Sequence, residues 1–199
     1  MHKYTAELIG TFGLTLVVFL SLASGNAAVA TPILAGLALG LFVYTLAPIS
    51  GTHINPAITV GLFMINKIEV KEAVGYIVAQ FVGAFLAMRV ALALGATVTL
   101  TAGNTITVGV AEALGALFFG FGVAAVASGK VPESMSGIVV GGSLLFGISL
   151  ASFASNGIVN PAVAFGIGSF NLMYVAGPIV GSIAGMFLFK FLSARAGRS

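Results

Sequence analysis

Two stretches decide the reading: Ser50-Gly51-Thr52-His53-Ile54-Asn55-Pro56-Ala57 and Ser155-Asn156-Gly157-Ile158-Val159-Asn160-Pro161-Ala162. Each places Asn-Pro-Ala directly before an apolar helical pattern. Pro suits the first helical position, where its missing N–H has no intrahelical partner anyway. Asn suits the N-cap, because its side-chain oxygen accepts an N–H of the first turn and its NH2 is left to point away from the helix. About ten helix-compatible residues follow each motif, to Asn66 and to Phe170. That is roughly 15 Å, half of a hydrocarbon core of about 30 Å. Each segment is therefore expected to be a half-helix starting near the middle of a membrane.

The rest of the chain supports a membrane setting. Of its 199 residues, 59% are hydrophobic and 7% charged, and the mean hydropathy is +1.15. A soluble domain carries about 25% charged residues. The chain has no Cys, two His and five acidic residues, which excludes disulfides and thiolate sites and leaves little for hydrolytic or redox chemistry. No cofactor, metal or nucleic-acid partner is expected; the lipid bilayer is the expected surrounding. Lys3 precedes an apolar run long enough to stay in the membrane, so no cleavable signal peptide is expected.

Six spans are expected, near 5–23, 32–49, 73–94, 107–128, 136–153 and 172–192, the second capped by Thr31. A small-residue loop lies at 24–31, a charged turn at Lys67, Glu69, Lys71 and Glu72, and a turn with Lys130 and Glu133 follows span four. The halves repeat at one offset of 105 residues: Glu7 and Glu112, Asn55 and Asn160, Gly10 and Gly115, Gly61 and Gly166. Residues 1–199 then form one domain: repeat one about 1–94, a Thr-rich connector about 95–106, repeat two about 107–199. Three spans per repeat is an odd number, so the second repeat must enter from the opposite face, with its special site where the repeats meet. Lys3, Lys67, Lys71, Lys130, Lys190, Arg195 and Arg198 lie in the tails and alternate turns or beside them, while the connectors near 24–31, 95–106 and 154–171 carry no basic residue. The excess of positive charge on one side predicts both termini in the cytoplasm.

Backbone outside a helix is tolerated at membrane depth only where it lines a cavity or is buried in protein. The carbonyls of Thr52, His53, Ile54, Gly157, Ile158 and Val159 are thus candidates to line a polar track. Two half-helix N-termini, each with roughly half a positive charge, would face its centre. The Asn55 and Asn160 amides would donate to a passing water or hydroxyl while the dipoles oppose cations and proton wires, the arrangement described for aquaporin-type pores.

At this point SGTHINPAITVG and NPAVAFG, with AELIGTF and VAEALG around the two glutamates, resemble the major intrinsic protein family, the aquaporins and aquaglyceroporins, over nearly the whole chain. The resemblance implies an all-α membrane fold of six transmembrane helices and two re-entrant half-helices in an inverted repeat. It implies a passive pore in each subunit of a homotetramer, and a prokaryotic plasma membrane is the expected location. It also implies that Glu7 and Glu112 anchor the re-entrant loops. One departure bears on selectivity. Where family members carry Arg after the second motif, this chain has Val163. Ungapped alignment completes the selectivity ring with Ala35, Ile148 and Gly157, none charged. A wide ring passing water and small neutral solutes such as glycerol, urea or ammonia is expected, although a narrow apolar ring would dewet.

Alternatives remain for several residues. Glu7 and Glu112 would also serve as ion-pathway carboxylates, and His53 as a pH gate or a packed loop residue. Arg89 is suited to a pore position, to the interface or to a subunit contact. A gradient-driven secondary transporter and a non-conducting membrane protein are the competing classes. An enzyme is not expected, since no nucleophile, base and orienting group stand in a recognisable pattern.

Overall fold

The computed structural model describes residues 1–25 and 29–196. Part of the expected 24–31 loop, and Arg198 of the basic tail, lie outside the described residues. Among those described, regular structure is entirely helical: α1 (His2–Ala23), α2 (Thr31–Ser50), α3 (Pro56–Met64), α4 (Val70–Ala93), α5 (Ile106–Ala127), α6 (Ser136–Ala151), α7 (Pro161–Gly166) and α8 (Leu172–Ala196). A single 3-10 turn, Glu133–Met135, leads into α6. Six of these elements are long and apolar enough to cross a membrane; α3 and α7 are not.

The boundaries follow local chemistry. Thr105 begins α5, its hydroxyl accepting from Val108 N at 3.4 Å. Gly51 ends α2 in the left-handed conformation, φ 83°. Three expectations shift. Thr31 does not cap α2: Ala30 is the N-cap, and Thr31 is the first helical residue, with its hydroxyl bonded to Ser21 Oγ at 2.7 Å. The tertiary partner outcompetes the local cap. The first span begins at His2 rather than near Thr5, where the exposed N-terminal turn carries Lys3 to Glu72 of α4 at 2.7 Å. The second half-helix stops at Gly166, well short of Phe170, because Gly168 turns left-handed (φ 81°) and Ser169 N closes back onto Ala164 O at 2.8 Å.

The bundle is held by close approaches of small residues. α1 packs on α4, α5 on α8, and α2 on α6. At the α2–α6 crossing, a Cβ on Gly36 would sit 2.8 Å from Gly141 O, and one on Gly40 would sit 2.9 Å from Gly137 O. Gly36 and Gly141 are themselves 105 residues apart, so the two helices cross at matching positions of the two halves. In lipid there is no hydrophobic drive between helices, and backbone-to-backbone contact of this kind supplies the packing instead. Other residues of α2 and α6 line two cavities inside the bundle.

Candidate functional site: two half-helix tips between two cavities

Each half-helix starts as its motif predicts. Asn55 Oδ1 accepts from Ala57 N at 2.8 Å, and Asn160 Oδ1 accepts from Ala162 N and Val163 N at 3.0 and 3.3 Å. Pro56 and Pro161 occupy first helical positions, and Ala57 and Ala162 are wholly buried. The two tips meet. Asn55 Nδ2 donates to Val159 O at 2.9 Å, and Asn160 Nδ2 donates to Ile54 O at 3.0 Å. An amide NH2 has two hydrogens. One hydrogen of each Asn thus locks the opposite loop, and one is left over.

The loops before the motifs run through unfavourable backbone. Thr52 (φ 53°), Ile54 (φ 35°), Gly157 (φ 61°) and Val159 (φ 48°) are left-handed, at matching positions of the two halves. For β-branched Ile54 and Val159 this costs about 1–3 kcal/mol each. Two carboxylates hold it. Glu7 Oε1 accepts from Ser50 Oγ (2.7 Å) and His53 N (2.9 Å), and its Oε2 from Ile54 N (2.6 Å) and Gln80 Nε2 (2.8 Å). Glu112 Oε1 accepts from Ser155 Oγ (2.7 Å) and Ile158 N (2.9 Å), and its Oε2 from Val159 N (2.6 Å). Both glutamates have 0% exposure. Their oxygens accept from donors in and beside the loops and, for Glu7, from Gln80 of α4. Gly10 and Gly115 make room for the strained side chains: a Cβ on Gly115 would lie 2.8 Å from Val159 Cγ1.

The second halves of these networks differ. Gln80 of α4 bridges Glu7 to Thr59 Oγ1 (3.0 Å), and His53 Nδ1 lies 3.3 Å from the same hydroxyl. The position 105 residues after Gln80 is Gly185, which has no side chain to donate to Glu112. His53 also packs edge-on against Tyr76, 4.9 Å between ring centres, and Tyr76 Oη donates to Ser50 O at 2.7 Å. In the other loop Tyr174 plays a different part, its hydroxyl accepting from Asn156 N at 3.0 Å.

Two cavities flank the tips. The inner one, on the face that carries the N-terminus, is about 440 Å3 and is lined by Thr52 and His53, with Lys67 and Glu133 among its charged groups. The outer one is about 230 Å3. Ala35, Ile148, Gly157 and Val163 all line it, together with Ile158 and Asn160, and no charged side chain does. Ile54 and Val159 line neither cavity, and their carbonyls accept from the opposite asparagines. The two cavities share no lining residue. Along α2, Ala35 faces the outer cavity and Val43 the inner one; Leu39, one turn from each, is buried and lines neither.

Sequence reasoning placed Ala35 and Ile148 but missed the rest of this α2–α6 stripe. Its signal was available: 35, 39 and 43 recur at 140, 144 and 148, each at four-residue spacing and the common offset. Gln80 and Tyr76 were also missed, although a polar amide inside a span is a signal in itself. Arg89 is exposed on α4 and lines neither cavity. Among the described residues, no three of His, Cys, Asp or Glu stand together as a metal site.

Six membrane-length helices around two half-helices that meet tip to tip, with a cavity on either side, define a membrane channel. The chain belongs to the major intrinsic protein family, whose sequence profile matches residues 1–189. It is 30% identical to a probable aquaporin of Archaeoglobus fulgidus over 96% of both chains. It is 33% identical to a glycerol uptake facilitator-like protein of Lactiplantibacillus plantarum over 98% of this chain and 99% of that one. In fold it matches the crystal structure of the aquaglyceroporin from Plasmodium falciparum with a TM-score of 0.72 at 19% identity, covering 100% and 99% of the two chains. The protein is therefore an integral multi-pass membrane channel of the class that passes water or small solutes passively, and not an enzyme.

Proposed function

We propose that this channel passes water together with small neutral solutes, glycerol, urea and ammonia being the candidates, and excludes ions and protons. The observation that carries the reading is the outer cavity, where Val163 stands at the family's arginine position beside Ala35, Ile148 and Gly157. A ring without a guanidinium has neither its bulk nor its charge. Solute hydroxyls would find donors at the spare amide hydrogens of Asn55 and Asn160, and apolar carbons would slide along the α2–α6 stripe. Exclusion of ions falls to the converging half-helix N-termini, each worth roughly half a positive charge. Likeness to a relative named as a glycerol uptake facilitator supports the solute range.

The same reading has Glu7 and Glu112 as loop anchors, and Thr52, His53, Gly157 and Ile158 as the backbone that a solute meets on either side of the asparagines. It has one channel domain of two inverted repeats, 1–94 and 107–199, joined by 95–106. It also has a homotetramer with a pore in each subunit, and both termini in the cytoplasm of a prokaryotic plasma membrane. Stopped-flow shrinkage and re-swelling of proteoliposomes tests the solute range. Glycerol re-swelling well above empty liposomes is expected; fast water flux with glycerol flux equal to empty liposomes overturns it.

A further inference from the structure

Three lysines from separate parts of the chain share one pocket. Lys67 follows α3, and Lys130 follows α5; Asn66 (φ 61°) and Gly129 (φ 67°) turn left-handed just before them. Each N–H closes back on its helix, Lys67 N to Leu62 O at 2.9 Å and Lys130 N to Ala125 O at 3.1 Å. Lys190 comes from the last turns of α8. With Ser128, Ser193 and Ile65 they line a concavity of about 490 Å3 on the face that carries the N-terminus, and no carboxylate lines it. The ion pair recorded among the described residues, Lys3 with Glu72, lies outside the pocket.

The charges do not balance locally. The C-terminal ends of α3 and α5 contribute roughly half a negative charge each. Three ammonium groups against that leave an excess of roughly two positive charges within the pocket, and Glu133, which lines the adjoining inner cavity with Lys67, offsets part of it. All three lysines are exposed, so water screens the excess, but an anion at the surface of a membrane is attracted to it. Ile65 and the exposed Ala194 line it beside the ammonium groups. Charge next to apolar side chains suits a phospholipid better than a free ion. Basic pockets between transmembrane helices bind anionic headgroups in this way.

We infer that Lys67, Lys130 and Lys190 hold the phosphate of an anionic phospholipid, with Ser128 and Ser193 offering hydroxyl donors. Lys67 lines the inner cavity as well, so the bound headgroup sits beside the channel mouth. The test is titration of the purified protein with short-chain phosphatidylglycerol, phosphatidylcholine and inorganic phosphate, read by native mass spectrometry. Substitution of all three lysines by Gln should weaken phosphatidylglycerol binding by about fivefold per lysine, roughly a hundredfold in all. Lys71→Gln, on the same face but outside the pocket, should leave it within twofold. Phosphatidylcholine should bind weakly to every variant. Undiminished phosphatidylglycerol binding in the triple variant overturns the site, and inorganic phosphate binding as tightly as the lipid overturns the lipid assignment.

Discussion

Glu112→Gln removes one oxygen from a carboxylate that accepts three bonds. Ser155 Oγ and Ile158 N reach Oε1, and Val159 N reaches Oε2. The new NH2 can only donate. The Ser155 hydroxyl is able to reverse and accept, but a backbone N–H is not. Whichever way the amide turns, one of two buried N–H groups is orphaned, at about 1–3 kcal/mol. The bonds that survive lose their charge assistance, roughly 1 kcal/mol each. Relief from burying a charge offsets part of this. A net loss of about 3 kcal/mol follows, in the loop where Val159 is already held at φ 48°. For a chain of 199 residues that corresponds to a fall in melting temperature of about 6–12 °C. The assay is thermal unfolding of the detergent-purified protein, followed by stopped-flow water permeability of proteoliposomes made well below the new midpoint. Permeability should fall with stability, because the loop that carries Asn160 loses its anchor. A variant that melts within about 2 °C of the parent, with unchanged permeability, would refute the idea that the carboxylate holds the loop against strain.

Val163→Arg should restore bulk and charge to the outer cavity. Glycerol permeability should drop at least tenfold while water permeability falls much less, as stopped-flow light scattering would show. Leu39→Ala should thin the barrier between the two cavities: water and glycerol permeability should both rise severalfold, at a stability cost of about 2–5 kcal/mol for the truncated core leucine. Equal permeability in the Leu39→Ala variant and the parent would mean the narrowest point lies elsewhere.

Much of the site was legible because it is written locally and twice. Asn-Pro at a helix start has one good structural use, and two copies at one offset tie both to a single symmetric plan. Glu7 and Glu112 carried the same offset, and the four ring positions, read by counting from the asparagines, do line one cavity. Two boundaries slipped where partners outside the helix took over: Thr31 spends its hydroxyl on Ser21 instead of its own helix, and Lys3 reaches Glu72. α7 is cut short locally instead, by the turn at Gly168 that Ser169 N closes on Ala164 O.

The order of residues alone determined the membrane setting, the element sequence and the doubled motif, since these rest on composition, spacing and capping chemistry within a few residues. Only the tertiary structure decided how each asparagine divides its two hydrogens, with one given to the carbonyl before its counterpart. It alone set Gln80 between Glu7 and Thr59, and left Leu39 standing between the cavities. Those facts depend on which groups from distant segments come within about 3 Å of one another. Spacing along a chain does not encode that distance; the packing of α2 against α6 and of one half-helix tip against the other does.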